Sequence, residues 1–255
     1  MNSIKRQLLD SLRKLEEYHG VEAIKAEFEA EGSRLDELIM LNEVVFRADM
    51  ELIIKIGGCE AVRDLDQCKL LGASGVMVPM IETPFAMEKF IGAYHKVYGE
   101  ETSAERIINA ETITCLENYD EILSRGKGFL TGATVGRSDL SASMGIDKSD
   151  IESDAVFDAT MEFVKKSRNA GLVTNFGGGI GVESIPFIIR MSPFIDRFET
   201  RKVVIRSSED SDWLKKTIQE ALRFELLYLE YKASYYDAMS KEDSKRMKRL
   251  KGQLN

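Results

Sequence analysis

Cysteine is scarce in this chain, and the few present do not pair by spacing. Cys59, Cys68 and Cys115 are scattered, with no CxxC pair, and are expected to be reduced thiols of a cytoplasmic protein. Long apolar runs are missing too. No window approaches the ~18 consecutive apolar residues of a membrane span. The first twenty residues, MNSIKRQLLDSLRKLEEYHG, carry charges throughout and lack the apolar core of a signal peptide. Basic charge is not in surplus. A formal net charge of −8 disfavours nonspecific binding to nucleic acid or to an anionic membrane. Histidine is limited to His19 and His95, and no Pro/Ser-rich linker divides the chain. What remains is an ordinary globular composition, 44% hydrophobic over 255 residues. That is enough chain for a large α/β domain that folds without disulfides or a structural metal.

What is present is an alternation of short apolar runs with amphipathic stretches. Residues 3–18 place Ile4, Leu8, Leu9, Leu12 and Leu15 on one helical face. AIKAEFEAEG (23–32) alternates with strand period, setting Lys25, Glu27, Glu29 and Glu31 against Ile24, Ala26, Phe28 and Ala30. Ser33 and Asp36 resemble a capping pair for the helix that follows. Further strands are expected at 51–58, 75–80, 106–112, within 128–136, at 172–178 and at 198–205. Helices are expected between them, and a long one over 210–238 leads into a solvated, fraying tail.

That makes seven strands alternating with helices, which implies parallel pairing and right-handed crossovers. An open doubly wound sheet would show a glycine fingerprint after its first strand, and EAEGSRLDE is not one. Length favours a TIM-type (β/α)8 barrel with one strand modified or missing. The division read here is an N-terminal helix (1–20), a barrel (21–205) and a C-terminal helix with tail (206–255), all in one domain.

In a parallel barrel, function sits at the carboxyl ends of the strands. The polar residues expected there are Glu27, Glu29 and Glu31; Lys55; Glu82; Asn109 and Glu111; Arg137, Ser138 and Asp139; Asn175; Arg201 and Lys202. Glu111 and Asp139 end successive strands. Two carboxylates aimed at one spot repel unless a cation lies between them. Carboxylates with water and substrate oxygens suit Mg²⁺ or Mn²⁺. The alternative for Asp139 is a helix cap, and for Glu111 an ordinary strand-end carboxylate. The run NFGGGIGVES (175–184) reads either as an anion cradle or as a tight turn. It lacks the lysine of a P-loop.

Three segments, VPMIET (78–83), INAETITCLENYDEIL (108–123) and VGRSDLSASMG (135–145), together resemble the HpcH/HpaI aldolase/citrate lyase family. The resemblance runs from about residue 51 to 205. It implies a pyruvate/phosphoenolpyruvate-type barrel in which Glu111 and Asp139 hold Mg²⁺ or Mn²⁺. The strand-end residues read here as the substrate site are Lys55, Gly136, Arg137, Ser138 and Asn175. The implied activity is a metal-dependent carbon–carbon lyase acting on a small 2-oxo or 3-hydroxy acid through an enolate, with pyruvate or a similar keto acid released.

Three departures from the family pattern stand out. Lys55 occupies the place of a usual arginine, keeping the charge but not the bidentate fork. No histidine follows an early strand, so Glu29 or a neighbouring glutamate is the candidate acid/base group, beside Lys55. Arg137–Ser138 replaces a common Pro–Ala pair, and Arg137 either grips a distal anion or turns away to pair elsewhere. The missing histidine gives weight to the citrate-lyase-like branch, which acts on acyl-CoA or acyl-carrier thioesters. A catalytically silent assembly subunit is the third reading. FELLYLEY (224–231), apolar on more than one face, predicts either a homo-oligomer interface or burial against the chain's own barrel.

Overall fold

The computed structural model describes residues 3–100 and 103–254. Eight strands close into a barrel in sequence order: β1 (Val21–Glu27), β2 (Glu51–Lys55), β3 (Gly75–Pro79), β4 (Glu105–Ala110), β5 (Gly132–Gly136), β6 (Val173–Gly177), β7 (Arg197–Glu199) and β8 (Val203–Arg206). Strands β1 to β7 pair in parallel. The connecting helices are α2 (Leu35–Arg47), α3 (Val62–Leu70), α4 (Pro84–Tyr98), the pair α5 (Ile113–Glu117) and α6 (Tyr119–Gly126), then α7 (Arg137–Ser143), α8 (Asp154–Asn169) and α9 (Ile185–Met191). Helix α1 (Ser3–His19) precedes the barrel and α10 (Ser211–Leu254) follows it.

The eighth strand, absent from the seven counted in the sequence, is the modified one of the expected barrel. FETRKVVI is not one strand. It bends at Thr200–Val203 into a hairpin, so β8 runs antiparallel to both β7 and β1. A parallel neighbour needs a long crossover, whereas an antiparallel one needs only a tight turn. The turn contains no glycine, proline or asparagine. Thr200 makes it instead, donating its N–H to the Val203 carbonyl (2.9 Å) and accepting the Val203 N–H on its hydroxyl (3.2 Å).

Strand β1 is shorter than 23–32 and is buried on both faces. Ile24 and Ala26 face the helices and join the main core, while Ala23 packs inside the barrel with Ile53, Met77, Ile107 and Val204. On the inward face above Ala23 come Lys25 and Glu27, both buried. The alternation in this segment therefore separates two interiors rather than core from solvent. The helix after it is capped differently from the Ser33/Asp36 reading. Glu37 reaches back to the Arg34 N–H at 3.1 Å, and Ser33 donates to Glu31.

Leu8, Leu12 and Leu15 of α1 are buried at helical spacing, and α1 packs along α10. Trp213 Nε1 donates to the Tyr18 carbonyl at 3.0 Å, and His19 bonds Thr217 at 2.9 Å. Helix α10 buries Leu214, Ile218, Ala221, Phe224, Tyr228 and Tyr231. It then continues as helix to Leu254, beyond the expected end at 238. Every side chain described past Tyr236 is exposed. No helix among the described residues is long and apolar enough to cross a membrane.

Candidate functional site

The strand ends of β1, β2, β4, β5 and β7 open on a cavity of about 130 Å³. Its charged lining is Lys25, Glu27, Lys55, Glu111, Asp139, Glu199 and Arg201.

Glu111 is the residue around which the rest is arranged. It follows β4 directly and is buried. Lys55 Nζ lies 2.5 Å from its Oε1, and Asn109 Nδ2 donates to the same oxygen at 2.8 Å. Burial pushes the Glu111 carboxyl above its ordinary value, against the pull of Lys55, and the charges of Asp139 and Glu27 push it the same way. Gly136 gives Glu111 its room, since a Cβ there would fall 2.9 Å from the Glu111 Cγ.

Asp139 sits in the first turn of α7. It does not cap the helix. The cap position is Gly136, with no side-chain cap bond, and Asp139 is exposed at the cavity. Among the described residues its carboxylate has no hydrogen-bond or ion-pair partner. Ser138 lines the cavity beside it. The loop after β6 passes so close that a Cβ on Gly178, which has φ +88°, would meet the Ser138 nitrogen at 2.5 Å. Gly178 thus serves close backbone packing against α7, Gly177 leaves room for the Glu199 side chain, and Gly178 and Gly179 also line the mouth.

Glu82 accepts the Thr112 hydroxyl at 2.6 Å, and its carbonyl accepts from Asn118. It orders the loops behind Glu111 rather than facing the cavity.

The inner part of the site is a polar layer whose pairing through Glu199 the sequence did not show. Lys25 pairs with Glu199, and with Glu27 at 3.2 Å. Asn175 Nδ2 donates to Glu199 Oε2 at 2.5 Å, and lies 3.3 Å from the Thr134 hydroxyl. Burial alone would favour neutral forms. For Lys25, Glu199 and Glu27 outweigh it and raise the ammonium above its ordinary value. For Glu27, burial is outweighed by Lys25 and Lys55, so its carboxyl lies below the usual range. In the sequence, Lys25 and Glu27 share one face of β1 and Glu27 and Asn175 stand among the strand-end candidates, while nothing marks Glu199.

Other expected site residues lie elsewhere. Glu29 is exposed in the turn beyond β1, with its carboxylate packed against Gly57, outside the cavity lining. Asn175 lies below the mouth in the polar layer. Arg137 is fully buried and turned away from the cavity. It makes a fork on Glu152 (2.9 and 3.2 Å) and donates to the Gly178 carbonyl at 3.0 Å. Its guanidinium stacks 4.3 Å from the Phe187 ring centroid and 5.0 Å from that of Phe176. His95 bonds the Gly99 carbonyl on α4, so both histidines are engaged outside the cavity lining.

The donor set suits a hard divalent ion. Glu111 and Asp139 both face the cavity, Asp139 without a partner among the described residues and Glu111 with its carboxyl raised by burial. Mg²⁺ is commonly held by one or two carboxylates, with water and substrate completing its shell. Among the described residues no group of three or more His, Cys, Asp or Glu is placed to hold a metal. Any ion here would therefore keep most of its positions for exchangeable oxygens.

The family model described as HpcH/HpaI aldolase/citrate lyase matches residues 21–176. No curated protein sequence matches the chain significantly. Among solved structures, the chain is similar to an HpcH/HpaI aldolase from Desulfitobacterium hafniense DCB-2, at 15% identity and TM-score 0.61, covering 75% of this chain and 82% of that one. It is similar to an HpcH/HpaI aldolase/citrate lyase family protein from Burkholderia cenocepacia J2315, at 16% identity and TM-score 0.61, covering 88% and 98%. RipC from Yersinia pestis aligns at 14% identity and TM-score 0.55, covering 81% and 88%. At these identities the structural likeness is one of fold.

Proposed function

The chain belongs to the HpcH/HpaI aldolase/citrate lyase family, and from that premise we propose that its barrel mouth is a divalent-metal-dependent carbon–carbon lyase site. The substrate is a small 2-oxo or 3-hydroxy acid, and the product pyruvate or a similar keto acid. The observation that carries this reading is the convergence of Glu111, Asp139 and Lys55 on one small cavity.

Glu111 and Asp139 would hold Mg²⁺ or Mn²⁺. When bound, such an ion supplies Lewis-acid stabilisation of the negative charge that develops on a 2-oxo oxygen as the carbon–carbon bond breaks. Lys55 adds a fixed positive charge at the same place. It is held there by Glu111, so it is positioned before substrate arrives. Asn109 fixes the Glu111 carboxylate from the other side.

Glu27 is assigned the substrate-hydroxyl proton in this reading. It lines the cavity, which Glu29 does not. Lys25 and Lys55 keep it unprotonated at neutral pH. Proton acceptance by a carboxylate in reach of the hydroxyl requires that form.

The test is exchange of pyruvate methyl protons in deuterium oxide with Mg²⁺ or Mn²⁺, followed by proton NMR. Metal-dependent exchange that is lost in Glu111→Ala and Asp139→Ala supports the reading. Exchange that persists in both variants refutes it.

A further inference from the structure

Among the described residues, Asp139 reaches the cavity with no side-chain partner to hold it there. Its place is therefore set by the backbone of α7. That helix is seven residues long and has no capping side chain. A helix so short does not hold itself in place without outside contacts. Its far end is tied by the Ser143 hydroxyl, which accepts the Ile113 N–H at 3.0 Å. Its near end is tied by Arg137, the first helical residue and two before Asp139.

One guanidinium joins three segments there. Its two terminal nitrogens make the fork on Glu152, in the turn before α8. Nη2 also donates to the Gly178 carbonyl, and Nε donates to the Gly177 carbonyl at 3.3 Å. The Ser184 hydroxyl donates to Glu152 Oε1 at 2.7 Å and accepts the Gly181 N–H at 3.2 Å. The loop of Gly178 and Gly179, which lines the mouth, is thereby fixed to the same carboxylate as α7. The buried rings of Phe176 and Phe187 cover the guanidinium. Neither Arg137 nor Glu152 lines the cavity. Any effect they have on it passes through the segments they hold.

We propose that Arg137 and Glu152 are positioning residues for the ion site. Their fork fixes where α7 leaves β5, and so holds Asp139 in the cavity that Glu111 also lines. This rests on the reading of Glu111 and Asp139 as ligands of a divalent ion. The fork needs both of its members. A lysine at 137 keeps the charge but not the planar donor set that spans Glu152 and the two carbonyls. A glutamine at 152 keeps one acceptor and sets an amide NH₂ against the guanidinium. Either change leaves both ligand carboxylates in the chain and loosens the turn that carries Asp139.

The experiment is a Mn²⁺ titration of the full chain read by electron paramagnetic resonance, at a temperature where thermal melts show every variant folded. Glu152→Gln and Arg137→Lys are each expected to bind Mn²⁺ about tenfold more weakly than wild type, the scale of disturbing a metal ligand's support. The line shape of the ion they do bind is expected to differ from wild type, which a loss of stability alone would not produce. Glu37→Gln is the control, a change between α2 and α10 that does not touch α7. Its Mn²⁺ affinity is expected to stay within about twofold of wild type, as for distant sites that share no partner. Wild-type affinity and line shape in both fork variants, with Asp139→Asn weakened, overturn the assignment and leave the lyase reading standing. A loss in Glu37→Gln as large as in the fork variants also overturns it. Absence of Mn²⁺ binding by the wild type, or binding that Asp139→Asn retains in full, overturns the lyase reading and this assignment together.

Discussion

Gly136 and Glu111 are matched across neighbouring strands: a Cβ on Gly136 would stand 2.9 Å from the Glu111 Cγ and 3.1 Å from its Oε1. The backbone at Gly136 has φ −88°, which any residue adopts. The glycine is therefore required by its neighbour rather than by its own conformation. Gly136→Ala is expected to displace Glu111 and to weaken Mn²⁺ binding by about tenfold or more, as loss of a supporting contact does at metal sites. Calorimetric Mn²⁺ titration measures this. A melting temperature close to wild type would show that the effect is local.

Arg137 tests the difference between a substrate residue and a structural one. It is buried, forked on Glu152 and stacked on two phenylalanines. Its partner Glu152 is part-exposed and also accepts from Ser184, so removing the guanidinium costs less than breaking a fully buried pair, about 2–3 kcal/mol. Arg137→Ala is expected to lose stability on that scale in urea denaturation. Arg137→Lys is expected to recover only part of it, since lysine keeps the charge without the fork. A near-neutral Arg137→Ala would contradict the structural role.

How far the site could be read from residues alone follows from cases like this one. Glu111 and Asp139 were legible because two spaced motifs mark the ends of neighbouring strands. Arg137 stood inside one of those motifs, and only its partner Glu152 and the Phe187 ring, in separate segments, show which way it turns. The period of β1 was legible, but its burial was not. Lys25 and Glu27 look like a solvated face until Glu199, in a distant strand, supplies the buried pair. The eighth strand was hidden for a local reason. Thr200 makes a hairpin turn with its hydroxyl and leaves no glycine or proline to mark it. The fold class depended on none of these details, because repeated strand–helix units already imply a parallel barrel.

Glu37 predicts a pH dependence of stability. It is buried where α2 meets α10, accepting from Tyr236 (2.6 Å), the Arg34 N–H (3.1 Å) and Lys232 (3.1 Å). Burial acts to raise its carboxyl, but these partners outweigh it and hold the carboxyl below its ordinary value of 4.5. A depressed folded value contributes stability above the unfolded value and loses it as pH falls through the folded value. The stability gap between wild type and Glu37→Gln is therefore expected to be constant from pH 6 to 8 and to shrink below about pH 4.5. Urea denaturation across that range checks the sign. A gap that widens on acidification would contradict it.

The C-terminal helix carries a second apolar stripe. Phe224, Tyr228 and Tyr231 are buried against the chain's own core, while Leu222, Leu226 and Leu229 are 41%, 58% and 48% exposed. Self-association through that stripe is the expected use of exposed leucines at helical spacing. Light scattering on wild type and on Leu226→Glu/Leu229→Glu tests it. The wild type should exceed the 28.7 kDa of one chain, and the variant should approach it. A monomeric wild type would dismiss the interface.

The central claim is that Glu111 and Asp139 together hold a divalent ion at the barrel mouth. A Mn²⁺ titration followed by electron paramagnetic resonance, on wild type, Glu111→Gln and Asp139→Asn, tests it most directly. The account predicts one ion per chain in the wild type and at least a tenfold loss of affinity in each variant, the scale of disturbing a metal's protein ligands. Absence of binding to the wild type, or binding that both variants retain, would contradict it.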